Sequence, residues 1–227
     1  MLFKTKAIAL NYIKYRDTSI IAKCYTREFG MQTYIINRIR VKNPKFKIAH
    51  FQPFTLLELV CYHNEKKDIQ RISELKTSDV LHRIPFEISR SSIALFLTEI
   101  LARVLREEHS DKEMFDFIDQ SVVKLDQIDT GINFFHIQFL LKLGVFLGMV
   151  PENADELLKE ISSHLQLKKD SSIEKIQQMI DQNYGSDISL TKPEKSDCFD
   201  AVLDLYRIHF DNLREIKSLS VLKSVME

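Results

Sequence analysis

The sequence predicts an α+β fold, with a small five-stranded β-barrel at the front and an α-helical domain behind it. Three observations carry that prediction. Up to residue 76, apolar residues recur with a period of two between short polar breaks, which is the pattern of strands. From about residue 80 the period lengthens to that of helices facing a core. The formal charge changes sign at the same place. Met1 to Lys76 holds 15 Lys or Arg against 6 Asp or Glu, net +9, and Thr77 to Glu227 holds 17 against 26, net −9, so the whole chain is neutral. Such a split points to a polyanion-binding module joined to something else.

Strands are expected near residues 2–13, 19–26, 31–39, 54–62 and 69–76, separated by YRDT, REFG, a long basic stretch and HNEKKD. Gly30 supplies positive φ for a tight turn between the second and third strands. Pro53 sits where the fourth begins, a position that needs no ladder donor. In the second strand Ile20, Ala22 and Cys24 alternate with Ile21, Lys23 and Tyr25, giving one buried face. In the fourth, Thr55, Leu57 and Leu59 alternate with Phe54, Leu56 and Glu58. That strand is apolar on both sides, as one covered by another domain would be. One long central loop and tight hairpins elsewhere are what a five-stranded OB-fold barrel requires, with an SH3-like barrel as the alternative. The barrel is assigned to residues 1–78 and the helical domain to 79–227.

The helical part begins with Ser89 to Glu108, apolar at 93, 96, 97, 100, 101, 104 and 105. Asp111 to Leu125 follows, with Met114, Phe115, Ile118, Val122 and Leu125 on one face. Ile132 to Leu147 is apolar nearly all round, which predicts a central helix. Gly148 ahead of Pro151 is a helix stop. Asp170, Ser171 and Ser172 cap a helix through Asn183, and two more close the chain near 197–210 and 215–226.

Composition excludes several classes. With 44% apolar residues and only five Gly and five Pro, the chain is expected to build a real core without long linkers. Cys24, Cys61 and Cys198 are odd in number and far apart, which suits a reducing compartment. The start, MLFKTKAIALNYIKY, is charged at positions 4 and 6 and lacks the apolar run of a signal peptide. FLLKLGVFLGMV (139–150) is too short for a membrane span and carries Lys142. A soluble cytosolic protein is expected.

Candidate chemistry is sparse. Cys61 and His63 stand two apart and His50 is alone, so no tetrahedral metal set forms, and no cofactor is expected. Glu107, Glu108, Asp111 and Glu113 suit a helix N-terminus better than an acid–base pair. Gly144 and Gly148 read as close packing and a helix end, and His136 as a satisfied core residue. GxSxG, P-loop and GxGxxG patterns are absent, so no enzyme is expected.

The basic stretch RIRVKNPKFK places Arg38, Arg40, Lys42, Lys45 and Lys47 in ten residues without an acid. On a loop beside a barrel these side chains neutralise phosphates, with binding free energy from counterion release. Lys4, Lys6, Lys14, Arg16, Lys23 and Arg27 belong to strands and hairpins that share the barrel surface. Tyr12, Tyr15, Tyr25, Tyr34 and Phe46 are interleaved with them as candidate stacking partners for bases, only one or two of which are expected to be free. Composition alone also admits a scaffold that binds acidic protein surfaces, a solvated loop or, as a weaker third option, an RNA-binding barrel.

KTKAIALNYIKYRDTSIIAKCYTREFG, a basic loop and FQPFTLLELVCY together resemble the amino-terminal OB domain of the RecO family of bacterial recombination mediators. The likeness includes the K-T-x-A-I-x-L opening, the T-R-E-x-G turn, Q-P-F before the fourth strand and I-Q-R-I-S-E-L in the fifth. Further on, LKLGVFLGMVPE (141–152) is similar to the family's L-x-x-L-G-Y-x-P helix end, and IKSLSVLKSVM (216–226) to its L-K-S-x-x-x-L tail. The resemblance implies a cytoplasmic, nucleoid-associated protein without catalytic activity. Such a protein binds single- and double-stranded DNA and anneals complementary strands. It engages the acidic, Phe-ended tail of single-stranded DNA-binding protein and, with RecR, helps load RecA. Many relatives insert a four-cysteine zinc motif after the L-G-x-x-P turn. Residues 150–200 here hold only Cys198, so no zinc is expected. The central helix also lacks the arginines that some relatives use for the acidic tail, with FFHIQF in their place and Lys142 as the nearest cation.

Overall fold

The computed structural model describes residues 1–105, 110–150 and 170–226. Five strands, β1 (Leu2–Tyr15), β2 (Ser19–Thr26), β3 (Gly30–Ile36), β4 (Leu56–Tyr62) and β5 (Ile69–Thr77), close a barrel in the order β1-β2-β3-β5-β4. Neighbours run antiparallel except β3 with β5, which are parallel. This is the arrangement of an OB-fold barrel. β1 can serve two partners because it bends. Its first half pairs with β4 from Leu2↔Tyr62 to Ile8↔Leu56, its second with β2 up to Tyr15↔Ser19, and a register shift between Ala9 and Asn11 marks the bulge.

The period of two decides which core each side chain joins. Ala7, Ala9, Ile20, Ala22, Cys24, Tyr34, Ile36, Leu57, Leu59 and Cys61 fill the barrel. Small residues on β1 and β2 leave room for the Tyr34 ring, whose hydroxyl donates to Cys61 Sγ at 3.7 Å. Side chains of opposite parity, Ile8, Leu10, Tyr25, Met31, Phe54 and Leu56, leave the barrel and join the helical core. The doubly apolar fourth strand thus has its predicted cause: Leu57 and Leu59 point in, and Phe54 and Leu56 lie under helices.

Six α-helices follow among the described residues: α1 (Ile88–Val104), α2 (Lys112–Gln127), α3 (Phe135–Phe146), α4 (Asp170–Asp181), α5 (Lys192–His209) and α6 (Leu219–Met226). α3 is buried continuously from Phe135 to Leu141, as a central helix must be. The Tyr206 hydroxyl of α5 donates to the Leu140 carbonyl at 2.8 Å. A Cβ on Gly144 would stand 2.3 Å from Val150 Cγ2, so only glycine permits that approach. Gly148, at φ +68°, ends the helix, while Pro151 lies outside the described residues.

Polar contacts fix the barrel and the connecting segment to α2. Arg27 of the β2–β3 turn grips both Asp116 oxygens, each at 2.8 Å. Asp126 accepts the backbone N–H groups of His82, Arg83 and Ile84, each at 2.8 Å, and so pins the segment ahead of α1. The wholly buried Arg90 pairs with Glu87 at 2.6 Å and donates to the carbonyls of Leu125 and Ile128, closing the C-terminal end of α2.

Several boundaries differ from expectation for local reasons. β3 stops at Ile36 because Asn37–Arg40 turn, with Arg38 at φ 56°. β4 starts at Leu56, so Pro53 precedes it, behind a 3-10 turn (Ile48–Phe51) and ahead of Phe54 at φ 63°. α5 starts at Lys192, earlier than expected, because Thr191 and Glu194 form a capping box with Pro193 beside it. The last helix begins only at Leu219. Asp111 caps α2 by accepting the Met114 N–H at 2.9 Å; its neighbours Glu107 and Glu108 lie outside the described residues. His136 is a core residue, and its buried Nδ1 meets no hydrogen-bond partner among the described residues. Burial, then the nearby Lys195 charge, push its pKa down to about 3, so the ring is neutral.

Candidate nucleic-acid interface

The basic loop is built on an in–out alternation of its own. Ile39 and Phe51 are buried in the barrel core, and Phe46 and Ile48 pack against it, while Arg38, Arg40, Lys42, Lys45 and Lys47 all point to solvent. Apolar anchors at one end of the barrel therefore hold a row of cations outward. Burying such anchors contributes about 1.5–3 kcal/mol per large side chain, enough to keep a charged loop ordered.

Backbone and side-chain contacts fix where the row lies. The Arg40 N–H donates to the Thr18 carbonyl at 3.0 Å and its Nη1 to the Arg16 carbonyl at 3.5 Å, joining the loop to the β1–β2 hairpin. Ser19 Oγ donates to Asn37 Oδ1 at 3.1 Å beside them. Farther along, Lys45 Nζ donates to the Ser73 carbonyl of β5 at 2.7 Å and stands 5.2 Å from the Phe46 ring centre. Lys14 and Arg16 thus belong to the same end of the barrel as Arg38 and Arg40. Among the described residues, no carboxylate lies within 4.0 Å of Lys14, Arg16, Lys23 or any of the five loop cations.

The outer face of β1, β2, β3 and β5 continues from this end. Register places Ile13, Ile21, Ile35 and Arg71 in one row, and Asn11, Lys23, Thr33 and Ile69 in the next. Ile13 is 62% exposed and, among the described residues, no helix covers it, unlike the outward Tyr25 and Met31 in the helical core. Arg71 was not among the residues singled out from sequence. Its signal was the alternation of IQRIS, which buries Gln70 and turns Arg71 out.

Lys4 and Lys6 lie elsewhere. They are on the β4 side of β1, and Lys6 is ten residues from Arg16, about 30 Å of strand. Their surroundings mix both charges: Lys6 is paired in register with Glu58, and both lysines border a groove of about 740 Å³ that also holds Glu28, Glu58, Glu74 and Asp116 beside Arg27 and Lys76. The Lys76 ammonium, 2.8 Å from Glu58, holds that carboxyl below its ordinary range, with Lys6 and Lys4 adding to the effect. Arg27 is committed to Asp116. The structure therefore brings eight of the ten candidate cations onto the loop end and the adjoining outer face, and sets Lys4 and Lys6 apart.

Most candidate stacking rings are occupied. Tyr25 and Tyr34 are buried, and Tyr12 and Phe46 pack on the barrel core. Tyr15 is half-buried, with the Arg16 guanidinium 5.2 Å from its ring centre. Among the described residues, no group of three or more His, Cys, Asp or Glu is placed to hold a metal ion, and no helix is long and apolar enough to cross a membrane.

Comparison with known proteins bears on the whole chain. The family model described as recombination protein O N terminal matches residues 1–81, and that described as recombination protein O C terminal matches residues 85–157. The DNA repair protein RecO of Azobacteroides pseudotrichonymphae is 31% identical over 243 residues, spanning 100% of both chains. That of Phocaeicola vulgatus is 30% identical over 239 residues, and that of Flavobacterium psychrophilum 31% over 237, each covering 99% of both chains.

Proposed function

Because the chain belongs to the RecO family of DNA repair proteins, we propose that it is a non-enzymatic recombination mediator that grips the sugar-phosphate chain of DNA through its barrel. The observation that carries this reading is the cation row Arg38, Arg40, Lys42, Lys45 and Lys47, without a carboxylate partner among the described residues and joined to Arg16 and Lys14 at one barrel end. Phosphates are the natural partner of such a row, since each contact displaces a condensed counterion and none of these cations forms an ion pair among the described residues. The contacts carry no sequence information, so single and double strands of any sequence are bound.

Annealing follows from the same geometry. A protein that neutralises two strands without reading bases lowers their mutual repulsion and leaves the pairing edges open. In this account the barrel, residues 1–78, handles DNA. The acidic helical part, 79–227, meets proteins: RecR, and the acidic tail of single-stranded DNA-binding protein, so that RecA is served indirectly. Acceleration of complementary-strand annealing, lost in an Arg38→Ala, Arg40→Ala, Lys42→Ala variant that keeps its fold, tests the proposal. A protein that binds acidic polypeptides but neither binds nor anneals DNA would instead be a scaffold.

A further inference from the structure

A second surface, distinct from the cation row, is largely apolar. Val80, Phe86, Ile88, Leu95 and Val221 are 71%, 82%, 72%, 41% and 43% exposed. All but Phe86 line one groove of about 590 Å³ between the segment ahead of α1, the exposed side of α1, and α6, with Phe86 on the connecting turn beside it. That volume falls within the roughly 300–1,000 Å³ of clefts that bury a ligand. Side chains this apolar gain nothing from solvent, and clustered exposure of this kind marks an interaction surface.

Charge narrows the occupant. Asp79 is the only charged residue among the described groove lining, and no described cation lies within 4.0 Å of it. One end of the groove therefore carries a carboxylate, and the rest of its described lining is uncharged and mostly apolar. Geometry narrows the occupant further. The barrel is closed and offers no strand edge to an extended peptide, and one side of the groove is formed by α1 and α6, which accept another helix by side-chain packing. We propose that this groove docks an amphipathic helix of a partner protein, its leucine-type face against Val80, Ile88, Leu95 and Val221 and a lysine or arginine at one end against Asp79.

The test uses the full chain and a panel of fluorescein-labelled helical peptides with leucine at i, i+3, i+4 and i+7, ending in either lysine or glutamate. Anisotropy is measured with the wild type, Ile88→Asp and Asp79→Lys. Both positions are exposed, so both variants fold, which near-ultraviolet circular dichroism and unchanged DNA affinity verify. The expected result is saturable binding of lysine-ended peptides, at least tenfold weaker in Ile88→Asp, with preference passing to glutamate-ended peptides in Asp79→Lys. The proposal is overturned by absence of saturable binding, by binding indifferent to both substitutions, or by a glutamate preference in the wild type. It is equally overturned by sedimentation showing self-association that Ile88→Asp abolishes, since the occupant is then a second copy.

Discussion

Arg40 is held against the Arg16 hairpin: its Nη1 donates to the Arg16 carbonyl at 3.5 Å while its backbone N–H is fixed on Thr18 at 3.0 Å. Two cations from segments far apart in sequence are kept together, and among the described residues neither forms an ion pair with a carboxylate. Folding tolerates that proximity because both head groups stay in water, where like charges interact weakly.

From this arrangement, Arg16→Ala and Arg40→Ala are each expected to remove about one phosphate contact. The slope of log K against log salt for single-stranded DNA should fall in magnitude by about 0.7 in each variant, equally for all sequences. Titrations of two unrelated oligonucleotides over a salt series check this. Loss confined to one sequence would point to base readout instead.

Lys4→Gln and Lys6→Gln should behave differently. Both side chains face Glu58 and its acidic neighbours rather than the cation row. We predict a change in DNA affinity under twofold and an unaltered salt slope for each. An effect as large as that of Arg40→Ala would mean that DNA tracks around the β4 side of the barrel.

This separation shows what was and was not legible in the sequence. Leu57 and Leu59 against Phe54 and Leu56 announced a strand between two cores, and Gly30 announced its turn, because those signals are local. The outward placement of Arg38, Arg40, Lys45 and Lys47 was also readable, since Ile39, Phe46 and Ile48 alternate with them. Thr191, Pro193 and Glu194 spelled a helix start that the period alone put later. Which cations share a face was not readable. β1 bends between Ala9 and Asn11, so its two ends serve opposite sides of a closed barrel, and that closure is a property of all five strands at once. Arg71 joins the Ile13–Ile21–Ile35 row only through the parallel β3–β5 pairing, which no local pattern encodes.

Asp126 offers a stability test. Burial alone would raise its carboxyl, but the backbone N–H groups of Ile84, His82 and Arg83 outweigh burial and hold it below the ordinary value. Asp126→Asn, which leaves buried donors poorly matched, should cost about 2–4 kcal/mol at pH 7. A lowered carboxyl contributes stability that is present above the unfolded value of about 3.9 and is lost as pH falls through the lower folded value. The gap between wild type and variant should therefore narrow as urea titrations move from pH 7 towards pH 3. A pH-independent gap would count against the assignment.

Gly144 tests the packing at the end of the central helix. With a Cβ there 2.3 Å from Val150 Cγ2, Gly144→Ala forces displacement of Val150. Overpacking of this kind costs about 1–3 kcal/mol. Adding Val150→Ala should recover part of that loss, which a double-mutant cycle by thermal melting measures. Strict additivity of the two changes would deny the contact.

The central claim, that one end of the barrel holds DNA by its phosphates, is tested most directly by the salt dependence of single-stranded DNA binding in the wild type and in the Arg16→Ala, Arg38→Ala, Arg40→Ala variant. With about five phosphates neutralised, the wild-type slope should be about −3 to −4, and the variant should lose about 2 of it. A flat wild-type profile, or a slope that survives all three substitutions unchanged, would contradict the claim.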